Sequence, residues 1–94
     1  MVKCQQVKFS GHAIQRMFER KISKSDVISI IASGEAIAEY SDDNPYPSLL
    51  LFGFINERPV HIVVAVDQAT GTCYVVTTYI PAPEQWADDY KTRR

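Results

Sequence analysis

The chain has 94 residues, 46% of them hydrophobic and 22% charged, with a net charge of −1; this suits one globular domain over residues 1–94 with a single modest core. No apolar run approaches the roughly 20 residues that span a bilayer. The opening Met1-Val2-Lys3-Cys4-Gln5-Gln6 lacks the apolar stretch of a secretory signal, so a cytoplasmic, reducing compartment is expected.

The charge is uneven. Six bases face one acid in residues 1–24, and four bases face ten acids in residues 25–94. The balance excludes a protein that coats nucleic acid nonspecifically. It still permits an anion site in the basic first third, although uneven spread alone is the plainer explanation.

In chain order, Val2–Lys8 reads as an extended lead-in. Ser10 is a natural helix cap, and a first helix is expected from about Gly11 to Lys21. At 100° per residue, Ile14, Met17 and Phe18 share one side. His12, Arg16 and Glu19 take the opposite side, with Arg20 at its edge. Ser23 can cap a second helix, with Asp26 completing a capping box and Ile22 packing back as a staple. Val27, Ile30 and Ile31 give that helix a buried stripe. Gly34 suits a left-handed position after its end.

The pattern then turns to strands. Glu35–Ser41 is a weak one. The stretch 42–47 is a loop with two prolines. Ser48–Ile55 is an apolar strand in which Gly53 suggests a bulge. Asn56-Glu57-Arg58 is a hairpin turn. Pro59–Val66 is β-branched, Asp67–Gly71 turns again, and Thr72–Ile80 is the last strand. Pro81-Ala82-Pro83 stops the sheet. Glu84–Tyr90 is read as a short terminal helix anchored by Trp86 and Tyr90, before a frayed basic end of Lys91, Arg93 and Arg94.

The expected fold is therefore α+β: two N-terminal helices packed on a four-stranded, mainly antiparallel sheet, in the order ααββββ. Cys73 reads as a small core residue and Cys4 as uninformative. Neither has a CxxC partner, so no metal and no cofactor are expected.

One constellation remains. His12, Arg16 and Arg20 put an imidazole and two guanidiniums along one helix face. Thr77, Thr78 and Tyr79 lie late in the last strand, where Thr78 and Tyr79 must face opposite ways unless a bulge intervenes. Cleaving RNA without a metal takes a base for the 2′-OH, an acid for the departing 5′ oxygen and cations for the phosphate. An imidazole serves as base or acid near neutrality, and guanidiniums grip phosphate bidentately. Each residue also has an ordinary use: His12 as a surface or capping residue, the arginines as helix-face ions beside Glu19, Tyr79 as a rim aromatic. His61 alternates with Val60 and Ile62 and reads as a structural cross-strand residue. Tyr46 is a lid aromatic or a loop anchor.

The stretch Phe9-Ser10-Gly11-His12-Ala13-Ile14-Gln15-Arg16-Met17-Phe18-Glu19-Arg20-Lys21-Ile22-Ser23 resembles the HAxxRMxxR-x-I-S opening of a bacterial family, domain of unknown function 4258. Val75-Val76-Thr77-Thr78-Tyr79-Ile80-Pro81-Ala82-Pro83-Glu84-Gln85-Trp86 is similar to that family's VVTVYxPxxxxW close, with Thr78 in place of the usual valine. The resemblance implies a RelE/barnase-like fold, similar to the RelE-like and colicin-like ribonuclease toxins, and a metal-independent endoribonuclease of a toxin–antitoxin pair. RNA would be its substrate and a neighbouring antitoxin protein its partner. His12, Arg16, Arg20 and Tyr79 are then the expected catalytic set, with Tyr79 as proton donor or stacking platform. Lys8, Thr77 and Thr78 are expected to contact RNA. The rival expectations are a non-catalytic protein-binding module and a degenerate toxin that has lost activity.

Overall fold

A computed structural model describes residues 3–94, so Val2 of the expected lead-in lies outside the described residues. The elements are β1 (Gln6–Phe9), α1 (Gly11–Arg20), α2 (Lys24–Ser33), β2 (Glu35–Tyr40), β3 (Ser48–Ile55), β4 (Arg58–Asp67) and β5 (Thr72–Tyr79). Among the described residues the sheet has five strands, in the order β1-β5-β4-β3-β2. The four later strands pair antiparallel, but β1 lies parallel to β5, with Val7 opposite Cys73. This corrects the expected four-stranded antiparallel sheet to a mixed five-stranded one; the α+β class stands. The added strand is four residues of alternating polar and apolar character. So short a segment gains its ladder bonds only because β5 is already in place beside it.

The two helices cover one face. Ala13 and Met17 of α1, Val27, Ile30 and Ile31 of α2 and the linking Ile22 are buried against Leu51, Ile55, Val60, Ile62, Val64, Cys73 and Val75. Ser10 caps α1, accepting from the Ala13 amide, and Ser23 with Asp26 forms the expected capping box. Two details of the helices differ from expectation. Ile14 and Phe18 do not join the core: Phe18 is 86% exposed, because the buried stripe runs through Ala13 and Met17 instead. The left-handed residue that ends a helix is Lys21 after α1, whereas Gly34 is extended. Gly34 answers a different need. A Cβ there would stand 2.5 Å from the Ile30 carbonyl oxygen and 2.8 Å from that of Phe52.

Two turns follow the sequence closely. Asn56 and Glu57 both take positive φ, as a two-residue type I′ hairpin needs, and Gly71 does the same in the next turn. Gly53 is not at a bulge; it lies under Ile30. The register shifts fall at Ala36/Ala38 of β2 and where β4 meets β5 at Val63/Val64.

The C-terminal segment packs on the second sheet face around His61. No helix forms over Glu84–Tyr90; that stretch is turns, closed by a bridge between Trp86 and Arg93. Trp86 is buried as an anchor, meeting the His61 ring at 4.5 Å between centroids. Tyr90 takes positive φ, which ends any helix at that point. The basic end is tied down: Lys91 pairs with Glu35, Arg93 lies over Trp86, and Arg94 bonds Pro83 and Asp88.

Both cysteines are used together. Cys4 and Cys73 form a disulfide that fastens the approach to β1 onto β5, where Cys73 was expected as a small core residue and Cys4 carried no expectation. Among the described residues no helix is long and apolar enough to cross a membrane.

Candidate functional site

The site begins with a bulge. Val63 pairs with Thr77 while Val64 pairs with Val75, so Val76 is an extra residue in β5. An unbroken strand would put Val75, Thr77 and Tyr79 on one face. The bulge instead lets both Val75 and Thr78 enter the helix-side core, opposite Val64 and Ile62, and turns Thr77 and Tyr79 to the other face. Thr78 is therefore 0% exposed and out of reach of any RNA, contrary to expectation. Among the described residues its hydroxyl has no hydrogen-bond partner. A buried orphan hydroxyl is costly, so Thr78→Val is expected to stabilise the domain by about 1 kcal/mol, read as a higher urea midpoint with an unchanged m-value.

The bulge also positions α1. Beyond Val75 the β1 ladder has ended, and Ser10 takes over the β5 edge: its amide donates to the Val75 carbonyl and its hydroxyl to the Val76 carbonyl. His12, two residues on, reaches Thr77, with Nε2 and Oγ1 hydrogen-bonded at 3.0 Å. Thr77 and Tyr79 are neighbours on the same strand face, about 7 Å apart at Cα.

Tyr79 leads to a second imidazole. Its hydroxyl meets His61 Nδ1 at 3.2 Å, and His61 Nε2 meets the Tyr90 carbonyl oxygen at 2.7 Å. A carbonyl only accepts, so Nε2 carries the ring proton. In a neutral imidazole Nδ1 is then the acceptor, and Tyr79 donates to it. His61 is 0% exposed. Burial pushes its pKa down, the bond to the Tyr90 carbonyl opposes this, and Arg93 adds to the fall. Burial also pushes the Tyr79 phenol up. Both groups are therefore neutral near pH 7. The Tyr79 proton points at His61 rather than outward, which an outward proton donor would require.

The other expected residues divide. Arg16 stands one turn from His12 on the same flank of α1 and forms a 3.2 Å ion pair with Glu19. That pair is solvent-exposed, hence weak, and a phosphate can replace the carboxylate. Lys8 is exposed on β1 opposite Tyr74, which places it on the Thr77–Tyr79 face, where Tyr46 from the loop stacks on Tyr74 at 5.5 Å. Tyr46 is thus a loop anchor. Arg20 does not converge with His12. It lies about 12 Å further along the helix, where its carbonyl accepts from Arg58 Nη1. A cleft of about 360 Å³ opens elsewhere, among Lys3, Glu39, Pro47, Ser48 and Val66, and none of the expected site residues lines it. Among the described residues no group of three His, Cys, Asp or Glu side chains is placed to hold a metal.

The residue that the sequence missed is His61. Its alternation with Val60 and Ile62 showed that it takes the face they do not share, and it read as a structural cross-strand residue. Nothing local showed that Tyr79 and the Tyr90 carbonyl would meet its two nitrogens.

The sequence profile of the family described as Domain of unknown function (DUF4258) matches residues 9–80, and the chain belongs to that family. No curated protein and no solved structure gives a match.

Proposed function

We propose that this protein is a metal-independent endoribonuclease acting as the toxin of a toxin–antitoxin pair, in the cytoplasm, with RNA as substrate and an antitoxin protein as partner. The observation that supports it is the His12–Thr77 hydrogen bond. It holds an exposed imidazole beside the strand face that carries Tyr79. Arg16, one turn along, is placed to share the phosphate, and Lys8 lies on the same sheet face. Arg20 has no part in this arrangement. The test is cleavage of a single-stranded RNA oligonucleotide in excess chelator. His12→Ala is expected to lose about 100-fold or more in kcat, and an oligonucleotide lacking 2′-hydroxyls is expected to stay intact. Undiminished cutting by His12→Ala would remove that residue from the mechanism.

A second reading is favoured by a different observation. Phe18 is 86% and Ile14 45% exposed, one turn apart on α1, and large apolar side chains in that arrangement commonly mark a protein contact. On this reading α1 holds a protein partner stoichiometrically and the chain turns over no RNA, whether as a binding module or as a toxin that has lost its activity. The same cleavage assay separates the two.

A further inference from the structure

We infer that His61 is a positioning residue for the reaction, holding the Tyr79 hydroxyl and accepting its proton when Tyr79 takes one from the 2′-OH of RNA. This rests on the ribonuclease reading above and assigns its missing base. The geometry fixes the direction of transfer. Nε2–H of His61 is committed to the Tyr90 carbonyl at 2.7 Å, so Nδ1 is the bare nitrogen, 3.2 Å from the Tyr79 oxygen. The lone pairs of the Tyr79 oxygen are then its free acceptors, and of the two residues only Tyr79, half-buried, reaches the surface.

The step balances as follows. The 2′-OH gives its proton to the Tyr79 oxygen as the Tyr79 proton passes to His61 Nδ1. The 2′ oxygen forms a bond to phosphorus and the bond from phosphorus to the 5′ oxygen breaks, with a proton from His12 going to that oxygen. The products are a 2′,3′-cyclic phosphate and a 5′-hydroxyl. Tyr79 ends neutral, His61 ends as imidazolium with its Nε2–H still held by Tyr90, and His12, which enters as imidazolium, ends neutral and regains its proton from solvent. The proton then returns through Tyr79 to solvent. This gives the two histidines distinct roles: the buried one receives a proton and the exposed one supplies it.

The surroundings of His61 suit a base that is neutral at rest. Phe52 of β3 meets the ring edge-on at 5.7 Å, and Tyr79 of β5 stands at 5.2 Å. From the C-terminal segment come Trp86, the Tyr90 carbonyl and the Arg93 guanidinium. Burial and Arg93 place its titration below the ordinary histidine value of 6.5. The acid limb of the rate profile, where the base becomes protonated and idle, should therefore fall below that value.

The test uses the full chain and a single-stranded RNA oligonucleotide in chelator, from about pH 5 to 8. His61→Gln keeps an acceptor for Tyr79 and a donor for Tyr90, but an amide takes no proton. Its kcat is expected to fall about 100-fold or more, with KM little changed and the acid limb gone from the residual rate. Tyr79→Phe is expected to do the same, and it decides the matter should the glutamine variant fail to fold. Wild-type kcat, or a retained acid limb, in a folded variant overturns the inference while leaving the ribonuclease reading intact. Nitrogen NMR of the free protein gives a readout without RNA: a protonated Nδ1 on neutral His61 overturns it too. No cleavage by the wild-type chain overturns the ribonuclease reading itself and this inference with it.

Discussion

Opening the Cys4–Cys73 bond is expected to cost the domain about 4 kcal/mol. The two cysteines are 69 residues apart, and the chain-entropy account makes a crosslink more valuable as the loop it closes lengthens. Against a typical total of about 5–15 kcal/mol, that is a large fraction. The clean variant is Cys4→Ser, because Cys4 is only partly buried, whereas truncating the fully buried Cys73 would also leave a cavity. Urea midpoints of the wild type with reductant and of Cys4→Ser without it should coincide, both well below the oxidised wild type. A wild-type midpoint indifferent to reductant would show that the crosslink contributes nothing. In a reducing cytoplasm the bond would be open, so the proposed setting is one in which this protein works at the lower stability. The loss should be felt first at β1, the short edge strand beside the bridge, and through Ser10 at the start of α1.

Gly34→Ala should destabilise by about 3 kcal/mol. The φ of Gly34 is −74°, ordinary for any residue, so the effect owes nothing to a left-handed backbone. It comes from crowding: the added methyl would stand 2.5 Å from one carbonyl oxygen and 2.8 Å from another, both main chain. Such atoms cannot rotate away, so the α2–β2 junction must move off β3 just where Glu35 pairs with Phe52. Gly53 supplies the control. The three atoms nearest its added Cβ would all be side-chain atoms of Ile30, at 2.8 to 3.2 Å, and Gly53→Ala should cost about 1 kcal/mol. Thermal and urea unfolding of the two variants compare them directly. Equal losses would refute the argument that immovable backbone is what sets the cost at Gly34.

Much of the scaffold is legible in the sequence, because it rests on short-range chemistry. A serine hydroxyl caps a helix by accepting from the amide three residues on, and both Ser10 and Ser23 do so. The spacing of Val27, Ile30 and Ile31 buries those three residues on any apolar sheet. Asn56-Glu57 between two apolar runs makes a hairpin. The failures have a common cause in long-range partners. Periodicity put Phe18 on one side with Ile14 and Met17, but α1 turns Ala13 and Met17 inward because Ser10 ties its start to the β5 edge. Glu84–Tyr90 lacks a helix because Trp86 and Arg93 close a turn over His61 instead. Cys4 could not be matched to Cys73 without knowing that β1 runs beside β5.

The sequence by itself determined the helix starts, the hairpin turns, the apolar faces of α2, β3 and β4, and the choice of His12, Arg16, Arg20 and Tyr79, with Lys8, Thr77 and Thr78, as residues worth locating. Each of these follows from neighbours within a few positions, where backbone geometry leaves little freedom. Only the tertiary structure decided which way the end of β5 faces. A single extra residue, Val76, inverts the alternation. It sends Thr78 into the core with an unpaired hydroxyl and brings Thr77 to His12 and Tyr79 to His61. A bulge belongs to the pairing of two strands rather than to either one, so no reading of β5 alone could have placed it.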